Sequence, residues 1–428
     1  MKKFYQLIKA NYNKKVIKDY LAVSGSNIAL QPIALLKSFF VAKYLGPSDY
    51  GLLKSIDLIR MLNKYGNLGF RQTANREVGD SIGKNNHLKT AMIKSTLYSA
   101  ELILSILLFL IGASISLFFD DRTIVILIIL ASTGLLFSKI KGIYSTEGVI
   151  QKKFILQSKV VFFSSLISSI IVIIIVPYLK IYAILITDII GSAIILSLYI
   201  KYLDYNFNFH INKKEFKRLF KISLTLTIPT LVLGLYKYSE RVLVIMFLGP
   251  IALGFFSFSE MITQSISTVL KMSIRVRMQD IYEGLGAGDY FRIHKMAVRE
   301  TILFTLLSLT IIPIAWYFLK TFIPVFLPNW EEGLFYAQIF LFMIPLHIIP
   351  NYFINVLLSS LINAQKITPI FQFISNLILV VTTVTLFKLD MLTIEKYIIV
   401  VIIANLFYNI SIVILYKIKF YNIYLGKP

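Results

Sequence analysis

The sequence has 428 residues, of which 57% are hydrophobic and only 15% are charged, and its mean hydropathy is +0.74. A soluble domain cannot cover that much apolar surface, so the composition excludes a soluble fold and indicates a membrane protein. The sequence contains no cysteine, which excludes disulfides and thiolate metal sites. The net charge of +22 would suggest a nucleic-acid partner in a soluble protein, so the position of the basic residues has to be considered.

The predicted elements begin after a basic, polar stretch that lacks the apolar core of a cleaved signal peptide, so we expect the first membrane helix to be retained. Twelve apolar runs of about 20 residues follow, the length that an α-helix needs to cross a bilayer. The runs are residues 20–44, 51–70, 96–119, 123–146, 160–178, 181–203, 221–247, 251–272, 297–323, 333–356, 367–387 and 394–416. We predict an all-α membrane protein with about twelve transmembrane helices.

Basic residues are unevenly distributed between the two sides of the membrane that twelve spans define. Thirty-one Lys and Arg residues fall on the side that holds both termini, and six fall on the opposite side. Because cytoplasmic loops carry the excess of Lys and Arg, we expect both termini in the cytoplasm. Most of the basic excess is then a signal of orientation, and no nucleic-acid partner is expected.

A turn sequence recurs at a fixed distance along the chain. Leu-Gly-Pro at residues 45–47, followed by Gly51, returns 203 residues later at residues 248–250, followed by Gly254. Six spans per half is an even number, so both halves enter the membrane in the same direction and are related by a pseudo-two-fold axis along the membrane normal. We predict an N-terminal lobe of six helices at residues 1–205, a basic cytoplasmic linker at 206–220 and a C-terminal lobe of six helices at 221–428.

Several charged side chains lie inside predicted spans, where each is costly unless it faces a partner or a wet cavity. We interpret them as lining a central cationic cavity formed by the first, second, seventh and eighth spans, which receives an anion such as a phosphate group. The candidate substrate-binding residues are Lys37, Lys54, Arg60, Lys64, Lys237 and Arg241. The candidate residues for ion coupling are Asp57, Glu240 and Glu260. In the alternative interpretation these charges only pair with one another to hold helices together, but six bases outnumber three acids.

The 203-residue offset aligns the charges of the two halves. It matches Asp57 with Glu260 and Lys37 with Glu240. The remaining cations of the second span, Lys54, Arg60 and Lys64, correspond to the hydroxyl residues Ser257, Thr263 and Ser267. We therefore expect the anion site to lie mainly in the first lobe, with the seventh span as its main partner.

Other motifs favour neither nucleotide binding nor metal chemistry. The glycine-rich segment at residues 284–288 lacks a preceding strand and the spacing of a nucleotide loop, and no P-loop occurs in the sequence. The four histidines are scattered without ligand spacing. Glu101, Glu147 and Asp188 are isolated acids that we interpret as structural or interfacial. No cofactor is expected, and transport would be driven by a gradient, with H⁺ or Na⁺ as the open choices for coupling.

Three short motifs carry a family resemblance. Residues 44–51, Tyr-Leu-Gly-Pro-Ser-Asp-Tyr-Gly, follow the first span, Gly-Phe-Arg at residues 69–71 with Ala74 and Arg76 ends the second, and Asn-Ala-Gln-Lys at residues 363–366 precedes the eleventh. These motifs resemble those of the bacterial polysaccharide flippases, the O-antigen and capsule exporters of the multidrug/oligosaccharidyl-lipid/polysaccharide superfamily. The second repeat departs from the pattern, since Ile-Ala-Leu at residues 251–253 replaces the tyrosine-containing turn.

The resemblance implies a transporter and not an enzyme. It implies a flippase of the bacterial inner membrane that moves an undecaprenyl-diphosphate-linked oligosaccharide, such as an O-antigen unit of lipopolysaccharide, to the outer leaflet by alternating access. We expect it to work as a monomer, with polysaccharide assembly proteins as the partners that could contact it. Two alternatives stay open: an ion-coupled multidrug antiporter of the same superfamily, which the basic excess disfavours, and a multi-span polysaccharide polymerase or ligase, for which the outer loops are short.

Overall fold

The structure, a computed structural model, describes residues 14–357 and 367–424. Over these two ranges the chain forms twelve α-helices and two short 3-10 helices, Ser116–Phe118 and Pro328–Gly333, and no β-strand. The α-helices are α1 (Lys14–Tyr65), α2 (Phe70–Gly83), α3 (His87–Ile115), α4 (Arg122–Ile150), α5 (Phe154–Leu179), α6 (Ile181–Tyr202), α7 (Lys213–Gly286), α8 (Tyr290–Phe326), α9 (Leu334–Phe340), α10 (Met343–Leu357), α11 (Thr368–Lys388) and α12 (Ile394–Tyr424).

The helices confirm the predicted class of fold. Within the described ranges, nine helical stretches are long and apolar enough to cross a membrane, judged by length and composition. Many of their large hydrophobic side chains are exposed, as expected of surfaces that face lipid. The protein is an all-α, multi-pass membrane protein.

The two repeated Leu-Gly-Pro turns interrupt the two longest helices. Gly46 breaks α1 with a φ of 68°, and Gly249 breaks α7 with a φ of 84°. Glycine adopts positive φ without the steric cost that other residues meet, so the sequence places it where the backbone kinks. The first two predicted spans lie on either side of the kink in α1, and the seventh and eighth lie on either side of the kink in α7.

The glycines that follow these two turns pack against each other's turn. A Cβ atom at Gly51 would overlap the carbonyl oxygen of Pro250, and one at Gly254 would overlap the carbonyl oxygen of Pro47. The contact is reciprocal, as expected of two segments related by a pseudo-two-fold axis. Both positions therefore require glycine because the backbones approach too closely for a side chain.

Contacts divide the described residues into two compact units. Unit 1 contains the residues up to Leu45 together with Ile56–Ile228, and unit 2 contains Gly46–Ser55 together with the residues from Pro229 onward. The lobes at residues 1–205 and 221–428 stay a prediction, because units defined by contacts need not follow a sequence repeat. Within the predicted linker at residues 206–220, α7 already begins at Lys213.

Helix α2 forms in a segment that we expected to be a connection between the second and third spans. Phe70, Ala74 and Val78 recur every four residues and are buried against Leu97 of α3 and Leu219 of α7. This spacing gives one apolar face on an otherwise polar helix. A search for long apolar runs passes over such an element, because α2 is too short and too polar to cross the bilayer.

The connection between α6 and α7 is fixed to α3, within unit 1, by hydrogen bonds. The backbone N–H of His210 donates to Ser99 Oγ at 3.0 Å, and that of Asn212 donates to Thr96 Oγ1 at 3.3 Å. The ring of Tyr205 packs edge-on against Tyr98, with centroids 5.7 Å apart. Side chains of α3 thus pair with backbone groups of the extended connection.

Candidate functional site

A polar cavity of about 460 Å³ lies inside unit 1. Four helices form its walls: α1 contributes residues around Lys37, α4 contributes Lys141, α5 contributes serines, and α6 contributes Asp188 and Ser192. The volume lies within the range of about 300–1,000 Å³ typical of ligand sites. Its lining combines cations with many hydroxyl groups, which is an unusual content for the interior of an apolar helix bundle.

The hydroxyl groups come mainly from one helix. Ser164, Ser165, Ser168 and Ser169 line the cavity from α5. The first two serines and the last two are four residues apart, which is about one helical turn, so both pairs lie on the same side of α5. On α6, Ser192 accepts a hydrogen bond from Lys141 Nζ at 3.3 Å. The cavity therefore offers a row of groups that can both donate and accept hydrogen bonds.

Arg60 joins α1 to α6 at this cavity by contacting two carboxylates. Its Nη1 donates to Asp57 Oδ1 at 2.7 Å, and its Nη2 contacts Asp188 Oδ2. The side chains of Arg60, Asp57 and Asp188 are 32%, 18% and 26% exposed, so the cluster is partly desolvated but reachable. Our interpretation of Asp188 as an isolated acid missed this arrangement, since Asp188 both pairs with Arg60 and lines the cavity.

The structure places the predicted cations in different surroundings. Lys37 lines the cavity of unit 1, and Arg60 lies beside it through Asp188. Lys54 belongs to unit 2, where its ammonium lies 5.0 Å from the centroid of the Tyr50 ring. The side chains of Lys64 and Lys237, and the whole of the motif at residues 363–366, lie outside the described residues, so those assignments stay predictions.

The predicted charges of unit 2 form a separate pair. Arg241 Nη2 donates to Glu260 Oε2 at 3.0 Å. Glu240 is buried, and its backbone carbonyl accepts a hydrogen bond from the Tyr397 hydroxyl at 2.6 Å. The two acids that the repeat aligns, Asp57 and Glu260, thus each hold an arginine. The arginine of Asp57 lies on the same helical turn, whereas that of Glu260 lies 19 residues earlier.

A second cluster of charges in unit 1 joins the buried residues Glu101 and Lys139 to the partly buried Arg71. Arg71 Nε donates to Glu101 Oε1 at 2.6 Å, and Arg71 Nη2 donates to the backbone carbonyl of Lys139 at 3.1 Å. Gly142 lies against the guanidinium, which leaves no room for a Cβ atom. Lys139 Nζ and Glu101 Oε2 have no hydrogen-bond partner among the described residues. In the sequence, Arg71 and Lys139 are only two of the basic residues that indicate orientation.

Sequence reasoning missed Lys141 and the serines of the cavity. By position Lys141 belongs to the basic residues of the predicted cytoplasmic side, and the run Ser-Ser-Leu-Ile-Ser-Ser at residues 164–169 contains no charged residue. That run carries a detectable signal, because paired serines repeated at helical spacing inside an apolar span mark a polar face. Among the described residues, no group of three or more His, Asp or Glu side chains is placed to hold a metal ion.

Comparison with solved structures shows the class of fold. The chain resembles the inward-facing conformation of a multidrug resistance MATE family transporter of the MOP superfamily, with a TM-score of 0.60, 11% identity and coverage of 90% of this chain and 96% of that one. It resembles a MOP superfamily transporter from Pyrococcus furiosus Vc1 with a TM-score of 0.58, 12% identity and coverage of 95% and 96%. It also resembles a mutant of the Vibrio cholerae MATE transporter VcmN, with a TM-score of 0.54, 13% identity and coverage of 94% of this chain and 96% of that one. The protein has the fold of MOP superfamily transporters.

The family is shown by the sequence itself. Residues 40–330 match the family described as polysaccharide biosynthesis protein, and the protein belongs to this family. A search of curated proteins found no match. Membership of this family and a fold shared with solved transporters agree with the expectation of a transporter.

Proposed function

We propose that the protein is a flippase that moves an undecaprenyl-diphosphate-linked oligosaccharide from the cytoplasmic to the outer leaflet by alternating access. The glycan would be a repeat unit of O-antigen, capsule or a related polymer, and the membrane would be the bacterial inner membrane, with both termini in the cytoplasm. Membership of the polysaccharide biosynthesis family and the MOP transporter fold support this general class of function.

The observation that carries the proposal is the chemistry of the cavity in unit 1. Lys37 and Lys141 supply ammonium groups, which bind phosphate oxygens through charge-assisted hydrogen bonds. The serines of α5 and α6 supply hydroxyl groups, which match the alternating donors and acceptors of a sugar. A substrate with a diphosphate joined to a glycan contains both kinds of partner.

The same chemistry disfavours export of organic cations from this cavity. Among the described residues, two lysines and one carboxylate line it, and that carboxylate, Asp188, is already in contact with Arg60. A cationic drug would meet repulsion from the lysines in a site of low dielectric constant. In the MOP superfamily transporter from Pyrococcus furiosus, reversed polarity of the binding pocket suggests a different function, which supports the use of pocket charge to separate functions within this fold.

Translocation assays with cavity variants test the proposal. Cells that lack the native gene and carry Lys37→Ala and Lys141→Ala together should accumulate lipid-linked oligosaccharide that an added glycosidase cannot reach in spheroplasts. Each lost charged hydrogen bond costs about 1.5–3 kcal/mol, so we expect translocation to fall by at least about tenfold. The measurement is the fraction of glycan released by the enzyme, normalised to protein level.

Lys320→Ala is the matched control, because it removes the same charge from an exposed side chain near the end of α8. It should leave translocation unchanged. Normal translocation by the double variant, at a normal protein level, would contradict the assignment of the cavity to the substrate.

A further inference from the structure

The motif Gly-Phe-Arg at residues 69–71 fixes the start of α2 against the first turns of α7, within unit 1. Gly69 lies so close to α7 that a Cβ atom would overlap the carbonyl oxygen of Ser223. Phe70 packs against two phenylalanine rings of α7, with centroids 6.3 and 6.4 Å away. These contacts set the direction in which the third residue of the motif, Arg71, leaves α2.

Arg71 contacts α4 at two residues that flank a lysine of the cavity. Its Nη2 donates to the backbone carbonyl of Lys139 at 3.1 Å, and its guanidinium lies against Gly142. Lys141 lies between these two residues in the sequence and lines the cavity. At about 3.6 residues per turn, the Lys141 side chain leaves α4 roughly 100–160° around the helix axis from them. Arg71 therefore contacts a side of α4 that lies away from the one that supplies the ammonium group.

The guanidinium is itself held in place from α3. Arg71 Nε donates to Oε1 of the buried Glu101 at 2.6 Å. Because a guanidinium is rigid and planar, binding a carboxylate of α3 with one nitrogen and a carbonyl of α4 with another fixes the spacing of the two helices. Lys141 Nζ makes only a long hydrogen bond, 3.3 Å, to Ser192 Oγ. The placement of α4 therefore contributes strongly to where this ammonium lies.

We propose that Arg71 is a positioning residue, which holds α4 so that the ammonium of Lys141 meets the phosphate in the cavity of unit 1. The inference rests on the proposed function and deepens it, since it states how a phosphate-binding group is placed. Arg71 is not one of the residues that line the cavity, so it acts through α4 and does not touch the substrate. Hydrogen bonds weaken steeply with distance and angle, so a small shift of α4 reduces the contact with the phosphate.

Two variants disturb the contact between Arg71 and α4 while keeping every charge. Gly142→Ala adds a methyl group where the guanidinium lies, and a group at the end of a flexible side chain can move aside, so the protein should fold. Arg71→Lys keeps the positive charge but replaces the planar fork of donors with one ammonium, which cannot reproduce both contacts. Gly134→Ala is the matched control on α4, because its Cβ atom would meet Ile189 at an ordinary distance of 3.6 Å.

Binding calorimetry on the full-length protein in nanodiscs tests the inference. The probe is N-acetylglucosamine linked through a diphosphate to a farnesyl chain. Lys141→Ala removes a charged hydrogen bond, so its affinity should fall by about tenfold or more. Coupling between contacting residues is commonly worth about 2- to 150-fold, and we expect Gly142→Ala and Arg71→Lys each to lower the affinity by at least about threefold. Gly134→Ala should bind as the unchanged protein does.

Combined variants separate positioning of Lys141 from a general effect on the fold. In a protein that already carries Lys141→Ala, adding Gly142→Ala or Arg71→Lys should cause no further loss of affinity, because the group that Arg71 positions is absent. A change that damages the cavity as a whole would instead lower the affinity with or without Lys141.

The outcomes for the inference and for the proposed function are distinguishable. Equal affinity of Gly142→Ala, Arg71→Lys and the unchanged protein would overturn the inference and leave the proposed function standing. A full further loss in the Lys141→Ala protein would also overturn it, because the effect would not pass through Lys141. Undiminished binding by Lys141→Ala alone would overturn both the inference and the assignment of the cavity to the substrate. No binding of the probe by the unchanged protein would contradict the proposed function itself.

Discussion

At the scale of single residues, the cluster of Arg71, Glu101 and Lys139 contains both a charge that is paired and a charge that lacks a hydrogen-bond partner among the described residues. Glu101 neutralises Arg71 directly at 2.6 Å, whereas the ammonium of Lys139 has no hydrogen-bond partner among the described residues. Removing one member of a buried ion pair leaves the other without compensation, which is far more damaging than losing a group that was never paired. Substitutions of Glu101 and of Lys139 should therefore change the free energy of unfolding in different directions.

Glu101→Gln should reduce the free energy of unfolding by about 1–3 kcal/mol, because the partly buried Arg71 would lose its counter-charge. Lys139→Met should leave stability unchanged or increase it, since an apolar side chain of similar length replaces an ammonium that has no hydrogen-bond partner among the described residues. Thermal unfolding in detergent, followed by intrinsic fluorescence, measures both.

The control for these two variants is Lys84→Ala, which breaks an ion pair whose side chains are 69% and 53% exposed. Such a pair contributes at most about 1 kcal/mol, so the variant should unfold close to the unchanged protein. A large loss of stability in Lys139→Met would show that its ammonium is paired in the folded protein, for example through bound water.

At the scale of secondary-structure elements, the reciprocal packing of the two glycines explains why the repeat keeps its turn sequence. Gly51 and Gly254 each abut a carbonyl group of the other turn, and backbone atoms cannot move aside as a flexible side chain can. The Leu-Gly-Pro repeat was recognised as a sign of duplication. Its packing role could not be read from the sequence, because nothing in the spacing indicates that the two copies touch.

Gly51→Ala and Gly254→Ala should each lower the unfolding temperature and the yield of folded protein, since the added methyl overlaps a proline carbonyl. Gly79→Ala is the matched control, because nothing lies within 4 Å of a Cβ atom at this exposed position in α2. It should stabilise the helix by about 0.5–1 kcal/mol, as alanine does relative to glycine in helices. Equal unfolding temperatures for the three variants would show that the turns separate readily.

At the scale of the whole molecule, the sequence predicts the membrane helices well and the candidate site only in part. Apolar runs report each span locally, so helices such as α4 and α6 lie close to their predicted ranges. The cavity instead joins Lys37 to Asp188 and to Lys141, residues far apart in the sequence, and one sequence holds no direct record of such contacts. Lys37 and Arg60 were predicted as cavity residues because a charge inside a span is conspicuous. Lys141 was not, because it lay in the group of basic residues assigned to orientation.

The orientation of the whole molecule in the membrane can be measured by labelling single introduced cysteines. The sequence contains no cysteine of its own, so only the introduced residue would react. The excess of basic residues predicts that Lys214 faces the cytoplasm and that Arg122 faces the outside. Both side chains are exposed, at the starts of α7 and α4 respectively. A membrane-impermeant maleimide should label Arg122→Cys in intact cells and Lys214→Cys only after permeabilisation. The opposite pattern would place the termini outside and would overturn the orientation predicted from the basic residues.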